Sequence, residues 1–229
     1  MTNKLARNIA IALAAGAVAL IPASTAQAHP HVWSDMRSDV VLNDNGEAVA
    51  INVEWIFDEG YTAAAIEGMD ANGDGIYTSV ELHPVVTENI EALKEFRYFV
   101  QAKAGNKDIQ YADVTEYMQR INDQGRLQMV FVVPFSKPVN IKTTELTYQI
   151  YDPDFFIAFE FVKERPVAII GDMPKGCSAS VGNNEFDDQV EQTRQMLADK
   201  PVDWQPEQPT DFGSLFAQKV TLTCKPAAS

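Results

Sequence analysis

The chain has 229 residues, 46% of them hydrophobic, and carries 32 acidic against 18 basic side chains for a formal net charge of −14 at pH 7. So acidic a chain is repelled at long range by nucleic-acid backbones and anionic membrane surfaces, which argues against both as partners. The balance suits a cation binder or a well-solvated secreted domain.

The first segment has Lys4 and Arg7, an apolar run over 9–21, Pro22 and then S-T-A-Q-A, ending in an A-x-A cleavage signal. Basic flank, short apolar stretch and small-residue site together predict a signal peptide over 1–28, hence a periplasmic product starting at His29. Lys4 and Arg7 leave with it, so the mature chain is more acidic still. No later segment is apolar for long enough to predict membrane insertion after cleavage.

Residues 29–229 are expected to form a single periplasmic domain. Positions 32–42 and 49–57 flank N-D-N-G-E, and Val49, Ile51, Val53, Trp55 and Phe57 alternate with Ala50, Asn52, Glu54 and Ile56, which predicts a hairpin. Then the period changes. Asp58 is placed to cap a helix through the alanines at 63–65 that leads into Asp70, and Leu82, Val85, Val86, Ile90 and Leu93 repeat at helical spacing, with Pro84 assigned to the first turn. Short strands are expected from there over 98–103, 109–114, 116–121, 127–133, 145–151, 155–162 and 167–170.

A helix over 187–197, a proline-rich connector over 201–209 and a last strand over 220–224 complete the chain. Cys177 and Cys224, its only cysteines, match no redox or zinc spacing; in an oxidising compartment they are expected to pair and to tie down a C-terminal section over 171–229. The expected fold class is therefore α+β: an antiparallel β-sandwich-like domain with a helix-loop-helix of EF-hand type inserted over 58–97.

The stretch D-A-N-G-D-G-I-Y-T-S-V-E, from Asp70 to Glu81, meets every specified position of the pattern D-x-[DN]-x-[DN]-G-x5-E. In such a loop the ligands come from positions one, three, five, seven, nine and twelve: here Asp70, Asn72, Asp74, the carbonyl of Ile76, Thr78 and Glu81. Six or seven oxygens, several of them charged, on a flexible loop suit Ca2+ better than Mg2+ or a soft metal. One position departs from the usual pattern: the eighth is Tyr77 rather than an aliphatic residue, and no second matching loop exists to pair with it.

The three histidines are His29 and His31 at the expected new terminus and His83 just past the loop. A terminal histidine offers its amine and an imidazole nitrogen together, a grip suited to Zn2+, Ni2+ or Cu2+. If strand and helix bring His29, His31 and His83 together they form a second site; otherwise they are a chain end and a helix-surface residue.

Taken in order, the leader, H-P-H-V-W at His29, W-I-F-D-E at Trp55, the D-A-N-G-D-G loop, Y-D-P-D-F-F at Tyr151 and the later cysteine resemble a bacterial periplasmic family of unassigned function. Its members are often labelled the periplasmic component of an ABC-type transport system, which implies a membrane transporter or permease as partner. The leading expectation is a non-enzymatic periplasmic calcium-binding protein, accessory to a metal-cation or ABC-type transport system. The alternatives are an interaction module that calcium only rigidifies, and a copper-dependent enzyme using the N-terminal histidine. No G-x-S-x-G, H-E-x-x-H or reactive-cysteine arrangement supports catalysis.

Overall fold

A computed structural model describes residues 30–182, 188–198 and 211–224. The expected leader, His29 and the proline-rich connector lie outside the described residues. The fold is mostly β, with two sheets and a few helices.

One sheet runs β5 (Tyr117–Ile121), β6 (Leu127–Val139), β2 (Ala48–Phe57), β1 (Val32–Leu42), β8 (Ile157–Phe161), with β9 (Val167–Ile170) also pairing with β1. The other runs β10 (Cys177–Val181), β11 (Val220–Cys224), β7 (Leu146–Ile150), β3 (Val100–Ala104), β4 (Lys107–Asp108). Alternation dictates what each sheet buries, since successive side chains point to opposite faces. Met36 and Val40 on β1, Ile51, Val53 and Trp55 on β2, Met129, Phe131 and Val133 on β6 meet Val100, Leu146, Tyr148, Ile150, Val220 and Leu222 in one core.

Trp55 sits at its centre, 1% exposed, with ring centroids 4.6 Å from Phe159 and 4.8 Å from Phe131. A polar contact also crosses the sheets: the hydroxyls of Ser38 and Tyr148 lie 2.7 Å apart in the buried interior. Burial pushes the Tyr148 phenol up, so it stays neutral and remains available for that bond.

Three expectations about the strands need correcting. The sheet holding β1 is mixed rather than antiparallel, because β8 and β9 both run parallel to β1, at Val32–Met36 and Ser38–Val41 in turn. Hydrophobic alternation reports which face is buried and says nothing of a partner's direction. The alternation of β2 slips at its start: a bulge opposite β6 leaves Ala48 and Ala50 buried and Val49 only partly so. The strand expected over 109–114 is reduced to a single bridge between Tyr111 and Phe135.

Two helices follow the first hairpin: α1 (Glu59–Ala65) and α2 (Ser79–Glu95). The first stops short of Asp70, in a turn where Gly68 takes φ +76°, a backbone state a side chain resists. Since α2 begins at Ser79, Pro84 falls in its second turn, not its first. There its missing N–H removes a helical bond to the Val80 carbonyl. Leu82, Val86 and Ile90 nevertheless bury the helix against the core.

A smaller cluster sits apart, where Phe155 and Ala158 meet Leu197 of α3 (Asp188–Ala198), Phe216 of the short α4 (Gly213–Phe216) and Phe212 just before it. Gly213 is required there, because a Cβ at that position would stand 2.0 Å from the Asp152 carbonyl oxygen. The disulfide expected between Cys177 and Cys224 is present, joining directly paired residues of β10 and β11 across a sequence separation of 47.

Closing a loop of that length restricts the unfolded chain by about 4 kcal/mol on the loop-entropy account. Replacing both cysteines by serine is expected to lower unfolding free energy by about that amount, read from urea denaturation followed by tryptophan fluorescence.

Candidate metal centre

The segment between α1 and α2 is anchored before it is shaped. Asp58 accepts from the Trp33 backbone N–H through one carboxylate oxygen, at 2.8 Å, and from the Tyr61 N–H through the other, also at 2.8 Å. The same side chain therefore caps α1 and ties it to the start of β1. On the far side of the helix, the buried Thr62 hydroxyl accepts from the Leu127 N–H at 3.0 Å, fixing α1 to the first residue of β6. Tyr61 packs its ring 4.6 Å from Phe57.

Within the loop, side-chain oxygens accept from backbone N–H groups. Asp70 Oδ1 accepts from Gly73 at 2.7 Å and Asp74 at 3.2 Å, and its Oδ2 from Gly75 at 2.8 Å. Asn72 Oδ1 accepts from Asp74 N–H and Asp74 Oδ1 from Ile76 N–H. The chain thus winds around Asp70, and the glycines make the winding feasible: Gly73 and Gly75 take φ of +74° and +79°.

Glu81 closes the circuit. Its Oε1 accepts from Ala71 N–H at 3.1 Å, and its Oε2 from the N–H and hydroxyl of Thr78, while the Thr78 hydroxyl oxygen accepts from Glu81 N–H. This is a capping box at the start of α2 that also reaches back to the head of the loop. The bonds from Thr78, then that from Ala71, hold the Glu81 carboxyl below the usual carboxylate range.

A carboxylate has about four lone-pair positions. Asp70 and Glu81 each use three on the protein, and Asp74 uses two, counting the Asn72 amide on its Oδ2. Each keeps an acceptor position; Asp74, Asn72 and Thr78 are exposed, while Asp70 and Glu81 are half-buried. The donor set is all hard oxygen, which matches a hard divalent cation. Among the described residues no three His, Cys, Asp or Glu side chains converge on one metal-binding point. In this loop the carboxylates are turned to backbone N–H groups instead.

Tyr77 at the eighth position leans its ring against the core, while its neighbours Ile76 and Val80 remain 64% and 80% exposed.

The structure does not bring the described histidines together. His31 tilts against Phe156 beside β8, with centroids 4.8 Å apart; His83 lies flat on Tyr117 of β5, centroids 5.8 Å apart. Strands β2 and β6 lie between β1 and β5. Three strand spacings amount to about 14 Å, beyond any shared coordination sphere. His29 lies outside the described residues.

Sequence reading missed two features that border the loop. Arg126 donates to the Phe57 and Ile56 carbonyls and to Asp35 Oδ2, at 2.6, 2.8 and 2.6 Å, clamping the end of the first hairpin beneath α1. Beside α2, Gln119 is 3% exposed with its Oε1 buried and without a partner among the described residues, at the wall of a cleft of about 450 Å³ that His83, Pro84 and Met118 also line. No motif or period marks either; an arginine just after an N-D-Q-G turn was the available signal for the first.

Comparison with known proteins finds a family described as "Protein of unknown function (DUF1007)", whose profile matches residues 14–224. An uncharacterized protein of Haemophilus influenzae is 25% identical over 202 residues, covering 86% of this chain and 92% of its own. An uncharacterized 15.5 kDa protein encoded in the trpE 3' region of Spirochaeta aurantia is 32% identical over 111 residues, covering 48% of this chain and 78% of its own.

The distance between His31 and His83 generates a test. His83→Ala is expected to leave zinc affinity unchanged within twofold, measured by titration calorimetry on the purified chain. A loss of tenfold or more contradicts the separation of the two histidines.

Proposed function

Because the chain belongs to the DUF1007 family, whose description names no activity, we propose its function from the loop: a non-enzymatic, periplasmic, calcium-binding protein that serves a metal-cation or ABC-type transport system. The observation that carries the reading is the winding of residues 70–81 around Asp70, with Glu81 drawn back from α2 to the loop's own head. An EF-hand loop winds about its first residue in the same sense, and Asp70, Asn72, Asp74, the Ile76 carbonyl, Thr78 and Glu81 are the ligands this reading assigns.

Calcium supplies the charge that five oxygen-bearing side chains on one exposed loop otherwise lack. On binding, Glu81 exchanges its N–H partners for bidentate coordination, and α2, which it caps, feels the exchange directly. The incoming helix is short and ends before Asp70, and no second loop pairs with this one. Both features favour weak binding, with a Kd on the order of 10⁻⁴ to 10⁻³ M, as in extracellular modules. The transport role rests on the leader-like segment and on the label that members of the resembling family often carry. Its partner is then a membrane transporter or permease.

Glu81→Gln separates coordination from folding, because glutamine also serves the capping box but cannot offer two anionic oxygens. Calcium affinity is expected to fall at least tenfold by titration calorimetry, while far-ultraviolet circular dichroism stays at the wild-type signal. Unchanged affinity overturns the assignment.

A pH dependence follows with a definite sign. The folded-state pKa of Glu81 lies below its unfolded value, so the stabilisation it gives is fully present above the unfolded value and is lost as pH falls through the folded one. In calcium-free buffer, acid unfolding of wild type is expected to be steeper than that of Glu81→Gln below pH ~4.

A further inference from the structure

We infer that the outer face of the second sheet carries a binding site for a small oxyanion-bearing solute, a carboxylate or phosphate. The cleft holds about 380 Å³ and draws on four separate parts of the chain: Arg97 just after α2, Lys103 on β3, Gln149 on β7 and Lys219 at the start of β11. Three of its lining side chains are cationic and one, Asp108, is anionic, in a chain whose acidic residues outnumber its basic ones by 32 to 18. The local balance is the reverse of the global one.

Arg97 is placed there against backbone preference. Arg97, Tyr98 and Phe99 take φ of 57°, 56° and 57°, three successive non-glycine residues in the left-handed region. Such residues cost on the order of 1 kcal/mol or more each and persist where their surroundings over-determine them, often at ligand clamps. Here the surroundings do so. The Arg97 guanidinium lies 5.0 Å from the centroid of the Tyr111 ring, donates through Nε to Gln101 Oε1 at 3.2 Å, and through Nη2 to the Ile109 carbonyl at 2.9 Å.

A fixed guanidinium with one end spent on the protein presents its other end without further ordering, which is what preorganised anion recognition requires. Among the described residues Nζ of Lys219 makes no hydrogen bond to protein, and the five-donor guanidinium of Arg97 keeps N–H groups beyond those it spends on Gln101, Ile109 and the Tyr111 hydroxyl. Gln101 has its amide N–H groups left over, and Lys103, though paired with Asp108 at 2.6 Å, keeps further donors. Between them, on β7, Gln149 is spoken for, donating to the Ser214 and Ala217 carbonyls, and Tyr151 donates to Asp211. The donors in excess therefore stand on either side of β7, Arg97, Gln101 and Lys103 toward β3 and Lys219 toward β11, and the volume between them exceeds that of a single ion. An organic anion of a few carbons, or a phosphate, fits both charge and size.

The site is separate from the calcium loop, so its failure leaves that reading untouched. Titration calorimetry on the purified chain in calcium-free buffer at fixed ionic strength, with succinate in one arm and inorganic phosphate in the other, tests it. Saturable one-to-one binding of either probe is expected, and the arm that saturates identifies the oxyanion. Lys219→Glu, at an exposed position just before β11, is expected to weaken binding at least tenfold, and Arg97→Gln likewise, each where circular dichroism shows the fold kept. Lys137→Glu, an exposed lysine on β6 of the other sheet, is expected to change nothing. Absence of saturation with both probes, or equal weakening by Lys137→Glu and Lys219→Glu, overturns the proposal.

Discussion

One carboxylate ties the helix ahead of the acidic loop to the first strand. Asp58 divides its two oxygens between the Trp33 N–H of β1 and the Tyr61 N–H inside α1, so the strand's first turn and the helix's first turn share an acceptor. Each such bond contributes on the order of 1 kcal/mol, more because the acceptor is ionised. The geometric effect is larger than the energetic one. With Asp58 on one end, the buried Thr62 hydroxyl on the other and Arg126 fastening the carbonyls of Ile56 and Phe57, α1 has no freedom to swing, and the loop that follows leaves the sheets in a set direction.

Beneath it the core offers little give. Trp55 meets four aromatic rings at once, those of Phe57, Phe99, Phe131 and Phe159, and two of these come from strands on either side of β2 in its own sheet. A close-packed interior of this kind transmits displacement rather than absorbing it. A change at Glu81 therefore reaches Leu82 and its core neighbours within one residue. The two ends of α2 also differ in charge role: its start carries Glu81 and the loop, its end leads into Arg97. The two proposed sites lie at opposite ends of one helix.

Much of this was legible in the residues, for reasons that can be named. Val32–Leu42 alternates so regularly that its bounds are readable directly, and the turn over 70–81 is legible because its acidic, amide and glycine residues recur at fixed spacing between two helical patterns. What escaped detection lacked such a signature. Strand β10 is Cys-Ser-Ala-Ser-Val, small and largely exposed, and owes its place to the disulfide and β11 rather than to a buried face. The four residues of α4 are too few to show a period. The left-handed turn at Arg97 contains no glycine or asparagine to announce it, and its strain is imposed by partners distant in sequence, Ile109 and Tyr111. The separation of His31 from His83 was not legible, since strand order, which sets their distance, leaves no trace in local pattern.

The parallel pairing along β1 has a consequence for how the chain reaches this state. Strand β1 stands near the beginning of the described chain, yet one of its edges is completed only by β8 and β9, more than a hundred residues later. Until those strands arrive, the hairpin of β1 and β2 exposes a row of unpaired backbone groups over an apolar face, the kind of edge that recruits other chains. Contacts of such long sequence separation also slow the search for the native arrangement. The molecule therefore cannot mature segment by segment as it emerges. It must wait for residues 157–170 before its first strand is safe, and during that interval it depends on being kept apart from its own kind.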